Sequence, residues 1–368
     1  MLKITHLTSV HPRYDTRIFS KMCSSLAKND DYQVSLIVAD GKGNETKNNV
    51  HIIDVGAKTA GRISRMTKTT KNVFKKAKEI DADIYHFHDP ELIPIGVKLK
   101  KIGKKVIYDI HEDVPRQILS KPYLSRLLSK IISFFFEKYE NYCAKKFNYL
   151  ITATPFIKKR FVNIGCDAID VQNMPILSEF TNIENIWEKK ENAICYIGGI
   201  TKIRGIFELI ETMKLCKKTT LYIAGPIEDN TIKDKLKEIA NINYLGIIDR
   251  NKIAEVFKKT LCGIVTFQPL PNHNNAIPNK MFEYMSAGLP VIASNFPLWK
   301  EIIEGNNCGI CVDPLNPEEI AKAIEYLIEN PEKAKEMGEN GKRAVLGKYN
   351  WDLEEKKLLK VYKDLSER

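Results

Sequence analysis

The chain has 368 residues, 43% apolar and 28% charged, which suits two domains with their own cores and is too rich in aliphatic residues for disorder. No run approaches about 18 uninterrupted apolar residues, so no transmembrane helix is expected. The opening MLKITHLTSV lacks a basic segment followed by a long apolar run, so no signal peptide is expected and the protein should stay in the cytoplasm. The net charge of +11 is uneven: residues 1–180 carry 30 Lys and Arg against 19 Asp and Glu, whereas residues 181–368 carry 27 of each. The first half therefore points toward something anionic (a membrane surface, a lipid phosphate or nucleic acid), with a solvated basic face as the plain alternative.

In chain order, strands are predicted at 3–8, 33–39, 50–54, 84–88, 105–109 and 149–153, with helical patterns at 17–28, 64–79, 91–101, 123–146 and 155–163. The strands are short continuous apolar runs, as in a parallel sheet covered on both faces. The polar stretch 176–192 is read as a linker. A second series follows, with strands at 193–197, 220–224, 242–245, 263–267, 290–294 and 309–312. Helices fall between these strands, and the chain closes with helices at 330–347 and 351–366. Two doubly wound α/β domains are expected, 1–178 and 190–350, with ligands outside the C-terminal strand ends.

The eight cysteines are scattered, mostly in apolar runs. Cys308 and Cys311 form a lone CxxC without a second ligand pair, so they read as strand or turn cysteines.

Strand 193–197 runs into GGITKIRG. Gly198 and Gly199 allow close backbone approach, the next helix offers its N-terminus, and Lys202 and Arg204 add cations, as at a pyrophosphate site. The second motif is NHNNAIPNKMFEYMSAGLPVIASN, residues 272–295. Pro278 starts a helix, Glu283 lies within it as a carboxylate for a ribose diol, and loop amides around Ala276 and Ile277 face phosphate oxygens.

At NKMFEYMSAGLPVIAS the chain resembles family 4 of the retaining GT-B glycosyltransferases, of the bacterial surface-polysaccharide and O-antigen type. YIGGITKIRGIFELIE, LYIAGP, YLGIIDRNKIAEVF and the terminal NWDLEEKKLLKVY continue the likeness in order. The resemblance implies two Rossmann-like domains facing each other across a cleft, with the last helix crossing back to the N-terminal domain. It implies that Glu283 binds the nucleotide ribose and that Arg204 contacts the donor pyrophosphate. Asn275 stands where the family has a first motif glutamate, and Gly199 where it has an arginine; Lys202 or Lys280 is then the replacement cation.

The first domain gathers polar groups at its strand ends. SVHPRYDTRIF brings His11, Arg13, Asp15 and Arg17; HFHDPEL brings His86, His88, Asp89 and Glu91; DIHEDVP brings His111, Glu112 and Asp113. Five of the seven histidines sit at or near such ends, more than core histidines explain. By resemblance His111 stands beside the reacting sugar. Asp15 and Glu91 join it as candidate catalytic groups, and His11, Arg13, Arg17, His88, Asp89 and Glu112 form the acceptor side. A metal is the alternative for such a cluster, but no HExxH spacing is present and the resemblance implies none; no cofactor beyond the nucleotide sugar is expected.

The expected activity is transfer of a sugar from a nucleotide-diphosphate sugar, UDP before GDP, to a lipid-linked glycan, with retention. Residues 121–147 are amphipathic and basic, with Phe134, Phe135 and Phe136. Residues 58–78 are also basic, including Arg62 and Arg65. Together they suggest peripheral contact with anionic lipid at the inner face of the cell membrane. Alternatives are a sugar-nucleotide epimerase of the same fold and a non-catalytic nucleotide-sugar-binding partner. No GxGxxG follows either first strand, which argues against a nicotinamide enzyme, and nucleic acid leaves the second half unexplained.

Overall fold

The computed structural model describes residues 1–367 except 60, 122, 185 and 186. The side chain of Arg62, counted in the basic run, and two residues of the 176–192 stretch lie outside the described residues. The chain divides into two compact units, Met1–Asn173 with Leu353–Arg368, and Met174–Asp352.

The first unit holds β1 (Leu2–Leu7), β2 (Tyr32–Val38), β3 (Glu45–Lys47), β4 (Val50–Asp54), β5 (Ile84–Phe87), β6 (Lys105–Ile110), β7 (Tyr149–Thr152) and β8 (Ala168–Asp170) in the order β3-β4-β2-β1-β5-β6-β7-β8. All neighbours are parallel except β3 and β4. The order reverses between β1 and β5, and a crevice at such a switch point is where α/β sheets take ligands. β3 and β8 are additional to the expected strands. The polar ETK gives β3 no apolar signal, but Asn48 and Asn49, both at positive φ (51° and 60°), close the hairpin as a primed turn requires.

The terminal helix Trp351–Glu367 buries Leu358, Val361, Tyr362 and Leu365, one stripe at helical spacing. It returns to the first unit, where Lys105 Nζ donates to the Leu365 carbonyl at 2.6 Å and Gln172 N donates to Glu354 Oε2 at 2.8 Å. The helix Arg126–Ala144 is turned the other way round. Its buried face is Ser129, Ser133, Glu140, Cys143 and Ala144, while Leu127, Leu128, Ile131, Phe134 and Phe135 are exposed. The inward polar groups are satisfied: Ser133 Oγ donates to the Pro115 carbonyl at 2.7 Å, and Glu140 pairs with Arg160 and accepts from Tyr108.

The second unit holds β9 (Ala193–Ile197), β10 (Thr220–Ala224), β11 (Ile242–Tyr244), β12 (Cys262–Val265), β13 (Val291–Ser294) and β14 (Gly309–Val312), all parallel, in the order β11-β10-β9-β12-β13-β14. Its switch point lies between β9 and β12. This unit begins earlier than the polar linker suggested, because Met174, Phe180 and Ile183 are buried in its core. Cys308 is buried and Cys311 half-buried, both as free thiols beside or within β14.

Candidate active site

In the first unit, parallel register builds the polar cluster. β1 and β5 pair His6 with His86, and β5 and β6 pair Phe87 with Tyr108. One step further, His88 therefore meets Asp109. Side chains alternate along a strand, so His6, Thr8, His86, His88 and Asp109 share one face, while Phe87 and Tyr108 stack at 4.5 Å on the other.

Asp109 is the hub. Arg17 grips it with Nη2–Oδ1 at 2.6 Å and Nε–Oδ2 at 3.0 Å, and spends a third donor on the Val171 carbonyl at 2.8 Å. His88 Nδ1 and His111 Nε2 lie 3.0 and 2.7 Å from Asp109 Oδ2. Burial opposes ionisation of Asp109, but Arg17 and His111 hold its carboxyl well below the usual carboxylate range. Burial lowers the pKa of His6, His86 and His88, so all three stay neutral. His11 differs. Burial resists its charging, yet the hydrogen bond to Asp15 and the charge of Asp89 raise its pKa. Its ring nitrogens lie 3.2 Å from Asp15 and 3.4 Å from Asp89.

Other expected residues are committed to internal partners. Arg13 is buried against Asp40 and Glu45 at 2.7 and 2.6 Å. Arg17 is buried on Asp109, so neither arginine is free to meet an acceptor. Asp15 caps the helix Thr16–Cys23, accepting from Arg17 N and Ile18 N at 2.9 Å. Glu91 is held by Arg65 at 3.0 Å and by Ser9 Oγ at 2.7 Å. Asp89 accepts from Thr8 Oγ1 at 2.9 Å, Ser9 N at 2.5 Å and Ser9 Oγ at 3.0 Å. Glu112 accepts from the Gln117 amide. His111 is the cluster member with a partly open ring: its side chain is 18% exposed, and its Nδ1 has no hydrogen-bond partner among the described residues. Ser9, His6 and Tyr362 were not singled out in the sequence, and Arg65 was read there only as part of a basic run, because each joins the cluster only through strand register or helix packing.

Two sets, His6–His86–His88 and His88–Asp109–His111, bring possible metal-ligating atoms within 4.8 Å. Hydrogen bonds engage the ring nitrogens of both sets except His86 Nε2 and His111 Nδ1, and the Arg17 guanidinium pairs with Asp109.

In the second unit the cluster surrounds the turn after β9. Gly198 has φ 129°, and a Cβ there would stand 3.3 Å from Lys280 Nζ. A Cβ on Gly199 would meet Arg204 Nη1 at 2.6 Å. Gly205 (φ 78°) lies so close to β12 that a Cβ would come within 1.9 Å of the Thr266 carbonyl. Two cations thus converge on glycine backbone, as a diphosphate requires. Lys280 is buried without a hydrogen-bond partner, its Nζ 3.4 Å from the Tyr196 ring centroid. Burial and the charge of Arg204 push its pKa well down. Lys202 is exposed on the same turn.

Of the eight buried side-chain polar atoms without a partner among the described residues, five belong to Thr201, Glu208, Thr266, Asn274 and Lys280 of this unit. They lie on the turn after β9, the helix that follows it, the end of β12 and the 272–280 segment, and such atoms mark a place for a ligand. Thr201, Glu208 and Asn274 lie within the motif stretches but carry no role there, and Thr266 lies outside them. Glu283, on the helix Asn279–Ser286, is bound by Arg250 at 2.7 Å, and Arg250 also holds Glu179 at 2.7 Å. Asn275 is half-buried, the Ala276 carbonyl accepts from Trp299 Nε1 at 2.8 Å, and Ile277 packs on the core.

Residues 17–175 match the family model Glycosyltransferase Family 4, and residues 179–344 match Glycosyl transferases group 1. An uncharacterized glycosyltransferase of Methanocaldococcus jannaschii is 27% identical over 295 residues, 74% of this chain and 71% of the relative. The D-rhamnosyltransferase WbpZ of Pseudomonas aeruginosa is 23% identical over 284 residues, 73% of this chain and 71% of the relative. Among solved structures, sucrose-phosphate synthase from Thermosynechococcus elongatus superposes with TM-score 0.80 at 15% identity, covering 99% of both chains. HepE of Anabaena in complex with UDP and glucose superposes with TM-score 0.72 at 14% identity, covering 99% of this chain and 100% of the other. These likenesses assign the GT-B fold. The chain is a glycosyltransferase, with a Glycosyltransferase Family 4 domain in its first unit and a group 1 domain in its second.

Proposed function

We propose that this enzyme transfers a sugar, with retention, from a nucleotide-diphosphate sugar to a lipid-linked glycan in surface-polysaccharide assembly. UDP is the favoured nucleotide and GDP the second. The observation that carries the donor assignment is Lys280, a buried, unpartnered amine beside Gly198, with Arg204 at Gly199. A diphosphate would pair with Lys280 and Arg204 and accept from the Thr201 and Thr266 hydroxyls, whereas the acceptor oxygens Glu208 Oε2 and Asn274 Oδ1 would take hydroxyl donors such as those of the sugar. Glu283 would take the ribose diol, its charge shared with Arg250. HepE, a protein of this fold, binds UDP and glucose, which supports a UDP-sugar here.

On the acceptor side, His111 is the base or hydrogen-bonding group nearest the reacting hydroxyl. Its Nε2 faces Asp109, which leaves Nδ1 to accept from the acceptor hydroxyl. The exposed aromatic face of Arg126–Ala144, flanked by exposed Lys130, Lys138 and Lys145, supports docking on anionic lipid at the cytoplasmic face of the membrane. Among the described residues no helix is long and apolar enough to cross a membrane.

The test is a thermal-shift panel of UDP, GDP, ADP and their sugars. A ligand that binds only the folded state raises the melting temperature, by about 2.7 kcal/mol of stability at a hundredfold excess over Kd. A response to UDP and UDP-sugars is expected. No response to any member would remove the donor assignment.

A further inference from the structure

The proton positions in the first unit's buried histidine cluster can be worked out from its fixed end. Asp109 is ionised and accepts only, so His88 must present Nδ1–H to it. A neutral His88 then has a lone pair on Nε2, and His6 Nδ1, 2.9 Å away, must be the donor. That leaves a lone pair on His6 Nε2, which takes the Tyr362 hydroxyl proton at 3.1 Å. The Tyr362 oxygen in turn accepts from His86 Nδ1–H at 2.7 Å, and His86 Nε2 ends the chain as a buried lone pair without a partner. Each step is forced once its predecessor is set. Reversing any ring would place two lone pairs or two protons face to face at full burial, which costs about as much as a lost buried hydrogen bond.

We propose that His6, His86 and Tyr362 are positioning residues that act through His88 and Asp109 on His111. The chain runs from the terminal helix, through β1 and β5, to the end of β6 in one direction, His86 to Tyr362 to His6 to His88 to Asp109. Each donated bond polarises the next, so Tyr362 strengthens the grip of His88 on Asp109 Oδ2. His111 Nε2 donates to that same oxygen, 2.7 Å away. The seating of the terminal helix is thereby felt at the ring assigned to the acceptor.

Of the surrounding charged and titratable groups, His111 comes nearest: its Nε2 lies 3.3 Å from His88 Nδ1, and both N–H groups share Asp109 Oδ2 as acceptor. The others are Arg17 and Cys23 on the helix after β1 and Tyr32 on β2. None of them offers a competing donor to His6 Nε2 or His88 Nε2 among the hydrogen bonds of the described residues. The same accounting uses every ring nitrogen of the three imidazoles except His86 Nε2.

This inference rests on the reading of His111 given above only for its consequence in transfer. The chain itself is tested on the unliganded protein by ¹⁵N imidazole spectroscopy. His6, His86 and His88 are expected as Nδ1–H tautomers, the minor form of free histidine, and His111 as Nε2–H. In Tyr362→Phe the ring N–H resonance of His88 is expected to move upfield and that of His111, which competes for the same Asp109 oxygen, downfield, although neither ring touches Tyr362. The control Tyr32→Phe is expected to leave them in place. Nε2–H tautomers at His6 or His88 in the parent protein overturn the proposal even if Tyr362→Phe fails to fold. Unmoved His88 and His111 resonances in a folded Tyr362→Phe overturn it equally. Turnover of His111→Ala decides the function of His111 separately, so the two failures are distinguishable.

Discussion

Lys280 Nζ stands 3.4 Å from the centre of the Tyr196 ring, at full burial and with no hydrogen-bond acceptor among the described residues. A ring face stabilises a cation by about 2 kcal/mol when desolvated, less than the several kcal/mol that burying a charge costs. Burial therefore disfavours the charged form of Lys280 in the unliganded site, and an anion beside it would restore that charge. Lys280→Met is expected to raise the melting temperature of the unliganded protein while weakening UDP binding roughly tenfold to a hundredfold, the loss of one charge-assisted bond. Calorimetric titration reads both. Binding of UDP should also take up a proton, since the pKa of Lys280 is depressed until the anion arrives. Buffers of different ionisation enthalpy reveal that uptake, and identical heats in all of them would argue against it.

Glu283 and Arg250 share a bond of 2.7 Å, so a ribose on Glu283 joins an ion pair instead of meeting a free carboxylate. Glu283→Ala is expected to weaken UDP about tenfold or more and to leave inorganic pyrophosphate unaffected. Equal loss for the two ligands would place Glu283 at the phosphates instead.

His111→Ala is expected to lower turnover by roughly a hundredfold or more, within the range of general acid–base groups, with little change in nucleotide affinity. Steady-state kinetics and a binding isotherm separate the two quantities. Loss of affinity with turnover intact would remove His111 from the reacting centre.

Acid should destabilise the protein before its carboxylates titrate. His6, His86 and His88 are held below the ordinary 6.5 by burial, so below that pH the unfolded chain binds more protons than the folded one. Each contributes stability that is present above about pH 6.5 and lost on acidification, at up to about 1.4 kcal/mol per pH unit. His11 has the opposite sign: its raised pKa adds stability at low pH that is lost as pH rises. Three groups oppose one, so the melting temperature should fall from about pH 6.5 to about pH 5. A flat or rising profile would contradict the neutral cluster.

Phe134 and Phe135 are 57% and 66% exposed on a helix whose inward face carries Ser129, Ser133 and Glu140 beside Cys143 and Ala144. Phe134→Ser with Phe135→Ser is expected to reduce sedimentation with phosphatidylserine vesicles at least tenfold, with no loss of stability. Unchanged sedimentation would leave that face without a lipid role.

The arrangement of strands and helices was legible because continuous apolar runs alternating with helical stripes have few parallel-sheet solutions. β3 and β8 were not, because three-residue strands carry too little apolar pattern to stand out. The Gly198–Gly199 turn, Arg204, Lys280 and Glu283 were visible as motif residues. Thr201, Asn274 and Arg250 stood inside the motif stretches without a role and Thr266 outside them, since a polar residue announces a site only when its unpaired atom or its partner is seen.

The amino-acid sequence by itself determined the two-part α/β architecture, the donor-type motif and the concentration of histidines and carboxylates at strand ends. Local pattern suffices for those features. Tertiary structure alone decided which of these side chains are consumed by one another. Arg13, Arg17, Asp15 and Glu91 look like free site residues in a string, but register and helix docking pair them off at full or partial burial. His111 keeps an uncommitted atom because its ring is partly open, and Lys280 because its Nζ is packed against the Tyr196 ring with no acceptor, and both are properties of neighbours distant in the chain.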